Sequence, residues 1–283
     1  MKKPQIVGEW KILFQPEKHG DYVNDHTVVK GSDGKWHLYG CTSFSGGPYN
    51  ERYFAHGVGE SLEQPMKEAG RSIDKGTLAW APCVIEKEGN YYMFYGPSPT
   101  QLAVSFDMQE WYGYPVVLKN EPIMGAHRDH FVLKLAEDKY VMYVAGIYQK
   151  KGAISAFSSN DLLHWEFEGF ALTSGKDAPL NPGWGAMESP FVVRKDGWFY
   201  LLVTYNDCTN ETYCNTLVFA SQDPLKFGEY NGGKGGAEVI ATLHAHAPEV
   251  LLENGNYYIT TCGWRSKPLP HKGAVSIAKL EWK

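Results

Sequence analysis

Short apolar runs alternate with polar turns along the whole chain, and one such unit occurs five times. Each copy has an apolar run, a turn built from Gly, Asp, Asn or Glu, and a second apolar run that is rich in aromatic residues. β-Branched and aromatic residues favour extended strands, and the turn residues tolerate a tight reversal, so the pattern predicts five β-hairpins. The copies are DHTVVKGSDGKWHLYG from Asp25, APCVIEKEGNYYMFYG from Ala81, DHFVLKLAEDKYVMYVAG from Asp129, SPFVVRKDGWFYLLVTY from Ser189 and APEVLLENGNYYITTCG from Ala247.

The copies recur at intervals of about 50 to 60 residues, a period that indicates a repeat architecture. Hairpins repeated at this spacing are typical of the blades of a β-propeller. We therefore predict an all-β fold in which residues 1–283 form a single domain, a five-bladed β-propeller. Its blades start near residues 24, 80, 128, 188 and 246.

Two further apolar segments lie at the ends of the chain. Residues 9–14 (EWKILF) precede the first blade, and AVSIAKLEWK ends the last one. Pairing an N-terminal strand with the final blade removes exposed strand edges, so we predict that the propeller is closed in this way.

A second repeated phrase, SFDMQEW, SSNDLLHW and SQDPLKF, occurs after three of the hairpins. Each copy has Ser, then Asp, then an apolar residue and an aromatic one. Because Asp hydrogen-bonds nearby backbone groups at turns, we predict a turn here whose aromatic residue packs between blades.

Composition narrows the classes of function. The net charge of −5 and the lack of a basic stripe argue against a nucleic-acid partner. No segment approaches the roughly 20 apolar residues of a membrane helix, so no membrane partner is expected.

The N-terminal MKKPQIVGEW contains no apolar run of a signal peptide, which favours the cytoplasm, although secretion of a trimmed form stays open. Cys208 and Cys214 could pair in an oxidising compartment.

Three hairpins begin with or next to a carboxylate: Asp25, Asp129 and Glu188. The first strand of every propeller blade lines the central axis, so these distant side chains should meet at one end of it. Carboxylates are rarely buried unless they are paired with a cation or have a function. Neighbouring carboxylates also raise one another's pKa. One protonated and one ionised carboxyl group are what glycoside hydrolysis requires. Taken singly, Asp25 could be a turn residue and Asp129 a structural ion-pair partner.

Other residues near the hairpin starts are candidates for contacting a sugar. Arg128 can fix Asp129 or reach a hydroxyl group, and aromatic planes suit sugar stacking as well as packing. The predicted substrate-binding residues are Asn24, His26, Trp80, Arg128, His130, Trp184 and His246.

No organic cofactor is expected, and hydrogen bonding to the substrate or the acids is the preferred role of the histidines. His244 and His246 lie two apart, and on a strand both would point to one face. An axial calcium ion near His246 is a weaker alternative, because calcium prefers oxygen ligands.

The chain resembles the five-bladed propeller glycoside hydrolases of families 43 and 32. The family 32 motifs are NDP, RDP and ECP; this chain has NDH at 24–26, RDH at 128–130 and ESP at 188–190. The phrase SNDLLHW is also similar to one found in both families. The resemblance implies that Asp25 is the general base or nucleophile, that Glu188 is the general acid, and that Asp129 stabilises the transition state or tunes the acid. His26 and His130 stand where the family 32 motifs have proline.

The resemblance implies a glycosidase that acts at chain ends on a furanoside, pentoside or fructoside, so the expected partner is an oligosaccharide or glycoside substrate. The single-domain length is similar to family 43, where hydrolysis inverts, whereas the ND and RD pairs are similar to family 32, where it retains. Sugar identity and oligomeric state stay open. The alternative function is a carbohydrate-binding or sensing propeller without catalysis.

Overall fold

Each repeated phrase forms the two inner strands of a sheet, and five such sheets follow one another along the chain. The structure is a computed structural model that describes residues 1–45, 47–178, 181, 183–207, 209–265 and 269–283. The predicted all-β, five-bladed propeller is confirmed.

Strand β1 (Pro4–Phe14) precedes the blades. Blade one contains β2 (His26–Lys30), β3 (Trp36–Thr42), β4 (Tyr53–Gly59) and β5 (Lys67–Ser72). Blade two contains β6 (Trp80–Lys87), β7 (Asn90–Gly96), β8 (Gln101–Ser105) and β9 (Tyr112–Tyr114). Blade three contains β10 (Val117–Lys119), β11 (Gly125–Ala136), β12 (Lys139–Tyr148), β13 (Lys151–Ser159) and β14 (His164–Ser174).

The next segment contains β15 (Met187–Lys195), β16 (Trp198–Tyr205), β17 (Asn215–Ser221), β18 (Gly228–Tyr230) and β19 (Ala241–His244). Of these, β18 pairs in parallel with β14 of blade three, and the other four form blade four. Blade five contains β20 (Val250–Glu253), β21 (Asn256–Thr261) and β22 (Val275–Trp282). Two short helical turns lie in loops, Pro48–Asn50 and Asn210–Tyr213.

The ring closes through β1, as predicted. This strand pairs antiparallel with β22, from Pro4 opposite Trp282 to Phe14 opposite Val275, and so becomes the outer strand of blade five. The pairing covers a strand edge that would otherwise be free to associate.

Apolar side chains fill the spaces between neighbouring blades. One cluster joins each pair, and the largest side chains are aromatic: Phe94 and Trp165, for example, pack edge to face between blades two and three with ring centroids 5.6 Å apart. Because each blade buries one face against each neighbour, the core is a ring of five clusters around the axis.

The Ser–Asp phrases form the predicted turns. In blade three, Ser159 Oγ accepts the N–H of Leu162 at 2.9 Å, and Asp161 Oδ1 accepts the N–H of His164 at 2.8 Å. The fully buried Trp165 follows and packs between blades. The equivalent Ser105 and Asp107 make the same kinds of bond in blade two.

An irregularity at the start of the inner strands positions the site. Four equivalent non-glycine residues have positive φ, between 44° and 59°: Ala81, Asp129, Ser189 and Ala247. The strand register shifts at this point in β6, β11 and β15. Such bulges re-aim side chains out of the regular alternation, and strained backbone of this kind clusters at functional sites.

Among the described residues, no helix is long or apolar enough to cross a membrane. Cys208 lies outside the described residues, so its pairing with Cys214 stays a prediction.

Candidate active site

A cavity of about 390 Å³ opens at one end of the propeller axis. Asp25, Asp129 and Glu188 all line it, although they come from blades one, three and four. The structure therefore brings together the three carboxyl groups that the repeat predicted to meet. All three side chains are buried or nearly so.

Asp25 precedes β2 and is held by two side chains. Ser189 Oγ donates to its Oδ1 at 2.8 Å, and Asn24 Nδ2 donates to its Oδ2 at 3.2 Å. Ser189 also donates its backbone N–H to Asp129 Oδ2 at 3.0 Å. One residue beside Glu188 therefore fixes both aspartates, and this explains how the three carboxyl groups keep a common geometry.

Arg128 joins the other two acids. Its Nε lies 3.3 Å from Asp129 Oδ2, and its Nη2 donates to Glu188 Oε2 at 2.9 Å. Nη1 donates to two backbone carbonyls, those of Ala126 and Trp184. Desolvation opposes the charge of this buried guanidinium, but Asp129 and Glu188 outweigh it and raise the pKa of Arg128. Its cation therefore compensates negative charge on two buried carboxyl groups.

The second oxygen of Glu188 faces different groups. Asn206 Nδ2 donates to Oε1 at 3.3 Å, and His246 Nε2 lies 3.9 Å from the same atom. His246 in turn has its Nδ1 2.7 Å from the carbonyl oxygen of Cys262, which fixes the ring and makes Nδ1 the donor.

Electrostatics distinguish this cluster from ordinary surface acids. Burial first, and then the charge of Glu188, raise the pKa of Asp25 to about 6. Burial also raises the pKa of Asp129 to about 7, against the opposing effect of Arg128. Perturbed carboxyl groups that share a cavity mark a site able to give and take protons near neutral pH.

The cavity has an aromatic wall on the side of blades one to three. Trp80 and Trp184, both predicted to contact a sugar, line it with ring centroids 5.9 Å apart. Tyr49, which is 65% exposed, lies against both rings at the mouth. Trp184 also carries Arg128 over its face at 5.2 Å. Flat apolar surfaces beside hydrogen-bonding acids suit a sugar ring.

Two predicted substrate-binding residues, His26 and His130, do not line this cavity. They line a narrow axial space of about 30 Å³ instead. His26 Nε2 is 2.8 Å from Thr260 Oγ1, and His130 Nε2 is 2.8 Å from Thr100 Oγ1. At His130 the physical reason is the backbone bulge at Asp129, which turns that acid into the cavity and the next side chain away from it. Burial lowers the pKa of His26 to about 3, so it stays neutral.

Asn24 and His246 do line the cavity, as predicted. The carbonyl oxygen of Cys262 and the stacked ring of Tyr213, with ring centroids 4.1 Å apart, flank the imidazole of His246, and an axial calcium ion near it stays a prediction. Within the described part of the chain, no group of three His, Cys, Asp or Glu side chains could hold a metal ion.

Sequence reasoning missed several residues of the cavity. They share a position in loops outside the repeated phrase, where no periodic pattern marks them: Tyr49, Glu51, Asn181, Asn206, Tyr213 and Trp264. Glu51 is a fourth buried carboxyl group. The loop after β3 carries it, and its signal in the sequence was a lone acid between polar residues, which is typical of exposed loops.

Comparison with solved structures identifies relatives of the fold. The chain aligns over 99% of its length with 62% of the GH32 β-fructofuranosidase BmSUC1 of Bombyx mori, with 18% identity and a TM-score of 0.67. It aligns over 93% of its length with 95% of an endo-arabinase of Bacteroides thetaiotaomicron, with 19% identity and a TM-score of 0.66. A GH43_1 enzyme of Xanthomonas citri complexed with xylotriose gives 13% identity, a TM-score of 0.67, and coverage of 96% of this chain and 89% of that one.

The chain thus spans less than two thirds of the length of the Bombyx mori enzyme, and almost the whole length of the other two. Among curated proteins, no sequence matches it. The sequence model of the glycosyl hydrolases family 32 N-terminal domain matches residues 14–226, which is most of the propeller and includes all three acids of the cavity. The chain therefore belongs to the family of the glycosyl hydrolases family 32 N-terminal domain.

Proposed function

We propose that the protein is a glycoside hydrolase that removes the terminal sugar of a furanoside, pentoside or fructoside. The observation that carries this proposal is the meeting of Asp25, Asp129 and Glu188 with Arg128 in one cavity. Family membership supports the reaction class, because paired carboxyl groups are the usual machinery of glycoside hydrolysis.

Glu188 is the general acid of this proposal. Its Oε2 is taken by Arg128, which leaves Oε1 to pass a proton to the leaving oxygen as the bond from the anomeric carbon breaks. Asn206 and His246 beside Oε1 orient the carboxyl group. The proton passes to the aglycone oxygen, so no charged alkoxide has to leave.

Asp25 acts on the anomeric carbon in one of two ways. As the base it takes a proton from the attacking water; as the nucleophile it forms a glycosyl ester, which water then hydrolyses with Glu188 acting as the base. Ser189 and Asn24 hold its two oxygens, so its direction is fixed before substrate binds. Asp129 positions Arg128, and through it Glu188, and in its ionised form it stabilises the positive charge that develops on the sugar ring.

The cavity size supports a substrate with one sugar inside it. About 390 Å³ accommodates a single sugar ring with part of its aglycone. Relatives of the fold are complexed with small saccharides: a variant of the Bombyx mori enzyme with sucrose, and two GH43 enzymes with xylotriose. We therefore assign this chain an oligosaccharide or small glycoside as substrate.

The test is a screen of nitrophenyl furanosides and pentosides, together with fructan and plant oligosaccharides, with product analysis. Wild type should release a monosaccharide from one of these classes. Glu188→Gln keeps the shape of the side chain but cannot donate the proton, so kcat/KM on oligosaccharides should fall at least about 10²-fold.

Glu249→Gln is the matched control for this experiment. Glu249 is also buried near the axis, but it bonds the N–H of Val28 at 2.7 Å and does not line the larger cavity. Burial raises its pKa to about 8, so the uncharged amide is a close replacement and activity should be retained. Equal activity of Glu188→Gln and wild type would contradict the proposal. Sugar binding without hydrolysis by wild type would favour the carbohydrate-binding alternative.

A further inference from the structure

A fourth carboxyl group, Glu51, lies in the wall of the cavity and takes no part in the mechanism proposed above. It is 1% exposed and lines the same space as Asp25. Its Oε1 accepts two hydrogen bonds, from the hydroxyl of Tyr22 at 3.0 Å and from the indole N–H of Trp264 at 3.2 Å. Its Oε2 has no hydrogen-bond partner among the described residues. Carboxyl oxygens in buried residues normally have a hydrogen-bond partner. An oxygen without one in the protein is therefore available to bond a ligand.

The charge balance of the cavity determines the form of Glu51. Among the described residues that line the cavity, four carry carboxyl groups and one a guanidinium, and that cation is bound to Asp129 and Glu188. Burial first, and the negative charge of Asp25 with it, raise the pKa of Glu51 to about 8 against the bonds from Trp264 and Tyr22. Glu51 is therefore mainly protonated at neutral pH. Since two donors already point at Oε1, the proton belongs on Oε2.

We propose that Glu51 is a specificity-determining residue, whose Oε2 hydrogen-bonds one hydroxyl group of the sugar that occupies the cavity. The inference rests on the proposed function, because it concerns the same site. It defines the preferred glycone as a neutral sugar with a free hydroxyl group at the position facing blade one. A sugar with an anionic substituent there would meet the charges of the neighbouring carboxylates and be excluded.

The discrimination follows from the cost of an unpaired polar group. A sugar that lacks this hydroxyl group would bury Oε2 without a partner after water has been expelled. Sites built to bond a substrate hydroxyl reject the analogue without it far more strongly than apolar pockets distinguish sizes. Tyr22 and Trp264 hold Oε1, so the carboxyl group cannot turn away without breaking two bonds.

The experiment combines two variants with a set of substrate analogues. The best glycoside from the screen and its monodeoxy analogues, each lacking one hydroxyl group, are compared on wild type, Glu51→Ala and Glu51→Gln. On the parent glycoside, Glu51→Ala should lower kcat/KM by about 10²-fold. One deoxy analogue should lose a similar factor on wild type and lose almost nothing more on Glu51→Ala, since both changes remove the same bond. Glu51→Gln places an N–H donor at Oε2 and should restore activity to within about tenfold of wild type.

The control is Glu253→Gln. Glu253 is also buried and also accepts an indole N–H, that of Trp36 at 2.6 Å, but it does not line the cavity. This variant shifts thermal stability without changing the ranking of the deoxy analogues. An equal loss on every analogue in Glu51→Ala, or no loss at all, would overturn the inference.

A second measurement separates this inference from the hydrolase proposal. In the Glu188→Gln background, the same sugars are titrated by calorimetry, and the coupling between Glu51 and the hydroxyl group is measured from Kd. If coupling appears in binding but wild type shows no turnover, only the proposed hydrolysis fails. If an active wild type shows no coupling in either measurement, only the role of Glu51 fails.

Discussion

Asp25 and Asp129 occupy positions where folding opposes their ionised form. In an unfolded chain both would titrate near 3.8, whereas in the fold burial raises the pKa of Asp25 to about 6 and that of Asp129 to about 7. Between these values the folded state binds more protons than the unfolded state. Stability therefore decreases as pH rises from about 4 to about 7. The two buried acids therefore lower the free energy of unfolding near neutral pH.

Asp25→Asn tests this conflict. The variant should abolish hydrolysis and raise the free energy of unfolding at pH 8 by about 1 to 3 kcal/mol, with little gain at pH 4, where the wild-type group is protonated. Asn can still accept the bond from Ser189 at 2.8 Å, whereas the longer bond from Asn24 at 3.2 Å is lost. Urea denaturation at the two pH values measures the difference. Asp74→Asn, at a half-exposed ion pair with Arg71, is the control and should change stability little at either pH. A variant less stable than wild type at pH 8 would contradict the argument.

At the scale of elements, the Ser–Asp turns explain how the outer strand of a blade brings an aromatic residue into the space between blades. Asp161 accepts the N–H groups of Leu163 and His164, at 2.9 and 2.8 Å. These bonds overcome desolvation and lower the pKa of Asp161 well below its usual range. Trp165 follows this turn directly, and its indole N–H donates to the carbonyl of Leu162 within the turn.

Asp161→Ala should lower the free energy of unfolding by about 0.5 to 2 kcal/mol, because two backbone N–H groups lose their acceptor. Denaturant titration followed by tryptophan fluorescence measures the change. Asp138→Ala, on the same blade, removes an exposed ion-pair partner of Lys87 and should have less than half that effect. If the two variants are equally stable, the turn bonds contribute nothing specific.

The repeat made much of the site predictable. A propeller places equivalent positions of its inner strands around one axis, so Asp25, Asp129 and Glu188 could be brought together from sequence alone. The same reasoning failed for His26 and His130 because it placed all the residues that open a hairpin in one cavity, whereas these two side chains line the narrow axial space. The four equivalent positions with positive φ are occupied by Ala81, Asp129, Ser189 and Ala247, and none of these is a residue type that by itself indicates positive φ.

The cavity residues that lie in loops are the second part of the site that was not predicted from the sequence. Glu51, Tyr213 and Trp264 reach the cavity from segments whose course depends on tertiary contacts, including the bond from Trp264 to Glu51 across blades five and one. The positions of Glu51 and Trp264 along the sequence give no indication of that contact. The repeat predicts where the three acids proposed to be catalytic lie, whereas Glu51, proposed to select the sugar, lies in a loop that has no repeated sequence pattern.

At the scale of the whole molecule, the ring depends on its closure. Five clusters of apolar side chains each join two blades, and the cluster between blades five and one includes side chains of β1. The N-terminal strand therefore fills part of the last interface as well as covering an edge. Closure was predictable because an apolar segment without a hairpin partner preceded the first repeat.

Leu13 and Ile12 provide a matched test of that role. They are neighbours on β1, but Leu13 is fully buried in the cluster between blades five and one, whereas Ile12 is 38% exposed. Leu13→Ala should lower the free energy of unfolding by about 2 to 4 kcal/mol, and Ile12→Ala by less than about 1 kcal/mol. Because closure links all five blades, circular dichroism and tryptophan fluorescence should report one shared transition in Leu13→Ala, shifted to lower denaturant. Two separate transitions would mean that blade five can open while the rest of the ring stays folded, and β1 would then stabilise only its own blade.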